Sequence, residues 1–145
     1  MSIQIKDTGK YGTSLYAERP FKKDEVIFGV GGVVVHEPTI YTIPIDSGLF
    51  IDDQSYGKHL CHSCEPNCGI KSRTLVVAMQ DIPEGQEITI DYAMIVPEYG
   101  QEITEEQLVC HCGSTKCRGR LGAYKRLSDE LKQKYAGYVS DYLLK

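Results

Sequence analysis

Two cysteine clusters constrain this chain more than any other feature. The first reads Cys61-His62-Ser63-Cys64-Glu65-Pro66-Asn67-Cys68, the second Cys110-His111-Cys112-Gly113-Ser114-Thr115-Lys116-Cys117, and together they hold all six cysteines of the 145 residues. The start, Met1-Ser2-Ile3-Gln4-Ile5-Lys6-Asp7, lacks the charged and apolar regions of a secretory signal. The expectation is therefore an intracellular, reducing setting, where clustered cysteines serve metal binding or catalysis rather than disulfides. The second cluster spaces three thiolates as C-x-C-x4-C, with Gly113 to let the chain bend around an ion. Structural zinc takes four ligands in a closed tetrahedron and favours sulfur; catalytic zinc keeps an open position and usually employs histidine or carboxylate. A structural zinc is predicted, with its fourth ligand drawn from outside the triplet. Spacing leaves Cys61, Cys64, Cys68 and His111 all eligible.

The rest of the composition bounds the answer. The length predicts one domain. No apolar run approaches the ~20 residues of a membrane span, and the mean hydropathy is −0.28. The formal charge of −4 argues against a nucleic-acid partner, which needs a basic face. That charge is unevenly placed. Residues 74–115 carry no Lys or Arg and sum to −8, residues 116–145 sum to +5, and residues 1–73 to −1. An acidic block of this kind attracts cations, including basic peptides.

Short β-branched runs broken by turns predict a mostly β (α+β) chain. Glu25–Val30, Gly32–Val35, Leu75–Met79 and Glu87–Tyr92 read as strands. Asp81-Ile82-Pro83-Glu84-Gly85 reads as a turn between the last two. One helix is predicted at the end. Ser128 is its N-cap, Asp129 and Glu130 complement its dipole, and Leu131, Tyr135, Tyr138, Val139 and Tyr142 form its buried stripe.

Three motifs, in this order, resemble those of SET-domain protein-lysine methyltransferases. They are His62-Ser63-Cys64-Glu65-Pro66-Asn67-Cys68, then Glu84-Gly85-Gln86-Glu87-Ile88-Thr89-Ile90-Asp91-Tyr92, then Cys110 to Cys117 followed by Arg118-Gly119-Arg120-Leu121. Upstream, Tyr11-Gly12-Thr13-Ser14-Leu15-Tyr16-Ala17 is similar to the family's G-x-G-x-x-A. The resemblance implies a SET fold of several small sheets around a knot-like core. It divides the chain into a SET domain (1–109), a post-SET zinc-binding segment (110–122) and a C-terminal helical extension (123–145), all one structural unit.

It also implies the chemistry: transfer of methyl groups from S-adenosyl-L-methionine to the side-chain amine of a protein lysine. Gly12, Thr13 and Ser14 would hold the cofactor's methionine end, Cys61 and His62 its amino end and adenine, and Leu121 would lie against the adenine. Tyr92 matches the catalytic tyrosine and would also border the cofactor. Cys64, Cys110, Cys112 and Cys117 match the zinc ligands, which leaves Cys68 spare and buried. The chain departs from the family at Cys61 and Ser14, where it usually has Asn and Gly. It departs again at Val30, Ile70 and Ile90, whose aliphatic side chains imply a roomier lysine channel.

The implied partner is a lysine-bearing basic protein or peptide, a histone among the candidates, with no direct nucleic-acid and no membrane contact. Location follows the substrate: the nucleus if it is chromatin, otherwise the cytoplasm. A second reading is a non-catalytic SET-like module that binds a basic peptide and keeps zinc for stability. A zinc-ribbon nucleic-acid binder is disfavoured, because aromatic interleaving among Lys116, Arg118, Arg120, Lys125 and Arg126 is limited to Tyr124.

Overall fold

The computed structural model describes residues 2–9 and 12–144; Tyr11, quoted with the upstream motif, lies outside them. Among the described residues, ten short strands build two sheets. The larger has the order β1-β2-β10-β8-β9-β3, with β7 paired to β10 off this path. Its strands are β1 (Ile3–Asp7), β2 (Thr13–Ala17), β3 (Val26–Gly29), β7 (Cys61–His62), β8 (Cys68–Lys71), β9 (Leu75–Ala78) and β10 (Glu87–Ile90). The smaller sheet, β4-β6-β5, comprises β4 (Val33–Val35), β5 (Ile43–Asp46) and β6 (Leu49–Asp52).

Strand β10 is the centrepiece. It runs antiparallel to β2, with Ile88 opposite Leu15. It runs parallel to β7, with Ile90 opposite His62, and parallel to β8, with Ile90 opposite Cys68. Both strands that carry the first cysteine cluster thus meet the strand that leads to Tyr92. β10 alternates as Glu87-Ile88-Thr89-Ile90, and its two isoleucines are fully buried together with Leu15 of β2.

The predicted strands recur with trimmed ends. Leu75–Met79 and Gly32–Val35 contain β9 and β4, and Glu25–Val30 contains β3. Strand β10 stops at Ile90, because the Asp91 side chain accepts from the Ala93 N–H and starts a 3-10 turn over Tyr92–Met94. Gly85 supplies the left-handed residue of the predicted turn at φ +87°.

The C-terminal helix is shorter than its tyrosine stripe predicts. Ser128 does cap it, accepting from Leu131 N–H at 3.2 Å, but α1 spans only Asp129–Lys134. Gly137 adopts φ +87° and turns the chain out of the helix. The following residues fasten to the sheet instead: Tyr138 carbonyl accepts from Ile70 N–H at 2.9 Å, and Ser140 N–H donates to Met94 carbonyl at 2.8 Å. Tyr142 then falls in a separate 3-10 turn, Asp141–Leu144. Tyr135 and Val139 belong to the buried core, while Leu131, Tyr138 and Tyr142 are only half-buried, and the backbone of the stripe is not one helix.

Candidate active site

Tyr92 is fixed at both ends. Its N–H donates to His62 Nδ1 at 3.0 Å, and its hydroxyl donates to the Leu60 carbonyl at 2.8 Å. Burial pushes its phenol well above the ordinary range, so the side chain is neutral across physiological pH. With the O–H committed to Leu60, the oxygen lone pairs remain available to a ligand. The ring borders a cavity of about 960 Å³. Its walls include Tyr92 and Leu121, the 39–50 segment with β5, and residues 95–103.

The residues assigned to the cofactor gather on another side. Thr13 Oγ1 lies 2.8 Å from His59 Nδ1, and the Cys61 thiol donates to the carbonyls of Thr13 at 3.3 Å and His59 at 3.5 Å. Ser14 is fully buried beside them in β2. Gly12 takes φ +94°, and a Cβ built there meets nothing within 4 Å. This left-handed turn with open space beside it, next to hydroxyl and thiol groups, fits a ligand that approaches the backbone closely. Leu121 stands with Tyr92 on the cavity wall; Gly12, Thr13, Ser14, Cys61 and His62 do not line that cavity.

The fourth sulfur comes from the first cluster. Cys64, Cys110, Cys112 and Cys117 place their Sγ atoms within 4.8 Å of one another, and all six cysteines are free thiols. Cys64 and Cys110 Sγ are 3.8 Å apart, close to the ~3.8 Å edge of a tetrahedron with Zn–S distances of about 2.3 Å. Backbone N–H groups of Arg118 and Gly119 donate to Cys64 at 3.3 Å and Cys117 at 3.4 Å, as suits thiolates. The four residues fit a structural zinc. Cys68 is fully buried with its thiol on Asn67 Oδ1, and Cys61 and His111 lie outside the sulfur cluster.

His62 ties the two centres together. Because Nδ1 accepts from Tyr92, the ring proton sits on Nε2, which lies 3.4 Å from Cys64 Sγ. Burial holds the imidazole neutral, its pKa down to about 4.

Several site features were not expected. Tyr99 lines the cavity, and its buried hydroxyl has no partner among the described residues. Val30, Ile70 and Ile90 pack in the hydrophobic core and are absent from the cavity wall. The charge blocks partly neutralise each other: Arg118 pairs with Asp91, Arg120 with Glu105, and Lys125 and Arg126 with Glu98. No helix among the described residues is long and apolar enough to cross a membrane.

This architecture and motif set define a class, and comparison with protein families matches residues 12–93 to the SET domain. The chain belongs to the SET-domain family. It is 30% identical over 125 residues, 78% of its length, to "Histone-lysine N-methyltransferase ash1" of Drosophila melanogaster, and covers 5% of that protein. It is 31% identical over 146 aligned positions to the "Histone-lysine N-methyltransferase, H3 lysine-36 specific" of Yarrowia lipolytica, covering 83% of this chain and 18% of the relative. Among solved structures it resembles KRYPTONITE in complex with mCHH DNA, H3(1-15) peptide and SAH. There the TM-score is 0.65 and the identity 26%, over 83% of this chain and 29% of that one. The chain thus spans under a third of these relatives.

Proposed function

We propose that this chain transfers methyl groups from S-adenosyl-L-methionine to the side-chain amine of a lysine in a basic protein, with histones the first candidates. The observation that carries this reading is Tyr92: a neutral phenol, held at both ends, on the wall of a cavity large enough for a peptide side chain. The names of the relatives and the peptide and SAH bound to KRYPTONITE support it. Chromatin, and hence the nucleus, is the corresponding location.

Gly12, Thr13, Ser14, Cys61 and His62 would hold the cofactor, with Leu121 against its adenine. When bound, the cofactor would supply a sulfonium methyl to the neutral lysine amine with a thioether as leaving group, and the methylated ammonium would give its proton to solvent. In such a displacement the protein contributes mainly alignment. Tyr92 Oη orients the amine along the line of transfer, and the desolvated cavity favours the neutral lysine. Cys64, Cys110, Cys112 and Cys117 would hold a structural zinc that orders the 110–122 segment, with residues 123–145 as an extension of the same unit. Asp91, Glu98 and Glu105 of the 74–115 block are ion-paired, and exposed acids such as Glu84 and Glu106 would attract a basic peptide.

The test is calorimetric titration with S-adenosyl-L-methionine on protein of measured zinc content, followed by methyl transfer to H3-derived and unrelated basic peptides. The expected result is binding, transfer, and a loss of about 100-fold in kcat for Tyr92→Phe with cofactor affinity kept. Absence of cofactor binding would overturn the enzyme reading in favour of a peptide-binding module.

A further inference from the structure

Next to Tyr92 lies a carboxylate that the proposed chemistry does not use. Asp91 is completely buried. Its Oδ1 accepts from Ala93 N–H at 2.9 Å. Its Oδ2 accepts from Arg118 Nη2 at 2.7 Å and from the Tyr135 hydroxyl at 2.9 Å. His62 Nδ1 is 3.6 Å away, but that nitrogen is already an acceptor for Tyr92 N–H. A carboxylate removed from water needs both a countercharge and hydrogen bonds, and here Arg118 supplies the first while Tyr135 completes the second.

The carboxylate has little freedom to turn. A Cβ at Gly122 would fall 2.6 Å from both Arg118 Nη2 and Asp91 Oδ1, and 3.0 Å from Ala93 Cβ, so the ion pair is walled in. The same side chain caps the 3-10 turn that begins at Tyr92. The tail grips the far end of that turn as well: Ser140 N–H donates to Met94 carbonyl and the Tyr142 hydroxyl to Ile95 carbonyl, each at 2.8 Å. Tyr135 itself is fully buried, and it comes from a segment beyond residues 12–93, the part matched to the SET domain.

We propose that Tyr135, through its hydrogen bond to Asp91, is a positioning residue for Tyr92, so that the C-terminal segment is a working part of the methyl-transfer site. The inference rests on the lysine-methyltransferase reading for its kinetics but not for its geometry. In an in-line transfer a small misplacement of the orienting group is costly. Without the Tyr135 hydroxyl, Asp91 keeps its charge partner but loses one of its fixing contacts, and the Tyr92 turn gains freedom.

The experiment compares Tyr135→Phe with Tyr138→Phe in the full, zinc-loaded chain. Tyr138 lies on the same segment, and its hydroxyl bonds Asp24, away from this network. The first readout is tyrosine-ring NMR with the Tyr92 resonance assigned by Tyr92→Phe. That resonance should move in Tyr135→Phe and stay in place in Tyr138→Phe. The second is kinetic: Tyr135→Phe should lower kcat about tenfold with peptide KM and cofactor affinity within about twofold, and should cost nothing more in a Tyr92→Phe background. An unmoved Tyr92 resonance in Tyr135→Phe, equal movement in both variants, or additive kinetic losses would overturn the proposal. If the wild-type chain transfers no methyl group, the enzyme reading fails by itself and the NMR comparison still decides the positioning role.

Discussion

His62 Nδ1 receives the backbone N–H of Tyr92 at 3.0 Å, so the imidazole serves the protein's own main chain before it serves any ligand. Removing it by His62→Ala leaves that N–H without its acceptor and opens a small cavity. The expected cost is about 2–4 kcal/mol, read as a lower urea midpoint at saturating zinc. His62→Gln offers an amide oxygen in the same region and should recover part of the loss.

The two cysteines outside the sulfur cluster should behave differently from the four inside it. Cys68→Ala removes a fully buried thiol that donates to its neighbour Asn67 Oδ1. It should cost about 1–2 kcal/mol and leave zinc content unchanged. Cys64→Ala should reduce zinc content and raise hydrogen exchange across residues 108–122. Metal analysis of both variants separates the roles.

Gly69 is the point where the tail crosses the sheet. A Cβ there would lie 2.4 Å from Tyr138 Cβ and 3.0 Å from its carbonyl oxygen, and neither strand β8 nor the tail can yield easily. Gly69→Ala should therefore destabilise by roughly 2–3 kcal/mol through overpacking. Thermal unfolding should show it as a fall in Tm of several degrees. Gly85→Ala, with open space at its Cβ but a left-handed φ, should cost less.

Alkaline pH should unfold the protein in a way that spectroscopy can follow. Burial raises the phenols of Tyr92, Tyr99, Tyr135 and Tyr142 above the ordinary value of 10. Above pH 10 the unfolded chain loses those protons while the folded chain keeps them, so the unfolded state binds fewer protons and stability falls as pH rises. Below pH 10 the four contribute no pH dependence. A titration should show the exposed tyrosines ionising gradually and these four only with the unfolding step.

Much of the site was legible before the fold. Local spacing carried the C-x-C-x4-C triplet, the Ser128 cap, and strands β3, β4, β9 and β10, because each is set by residues a few positions apart. The choice of Cys64 over Cys61, Cys68 and His111 was not carried by spacing; motif resemblance named it, and sulfur geometry agrees with it. Periodicity gave the buried Tyr135 and Val139 but not the backbone beneath them. Gly137, in the middle of the stripe, was the available signal that the helix would end early. Asp91 to Tyr135, 44 residues apart, and the pairing of the acidic block with the basic tail are long-range contacts that no local pattern encodes. Net charge per segment suggested a partner outside the chain; part of that complementarity is met within it.

The central position of β10 has a consequence for biogenesis. It is flanked by partners that precede it by about 20 to 75 residues, and the turn it leads into is secured by residues 135–142. Such non-local pairing is slow to form, and chains fold as they emerge from the ribosome N-terminus first. Tyr92 is therefore synthesised well before Tyr135, the first of the tail residues that secure its turn. A nascent chain stalled before Tyr135 should hold an incomplete site, and competence should arrive only once residues 135–142 have emerged.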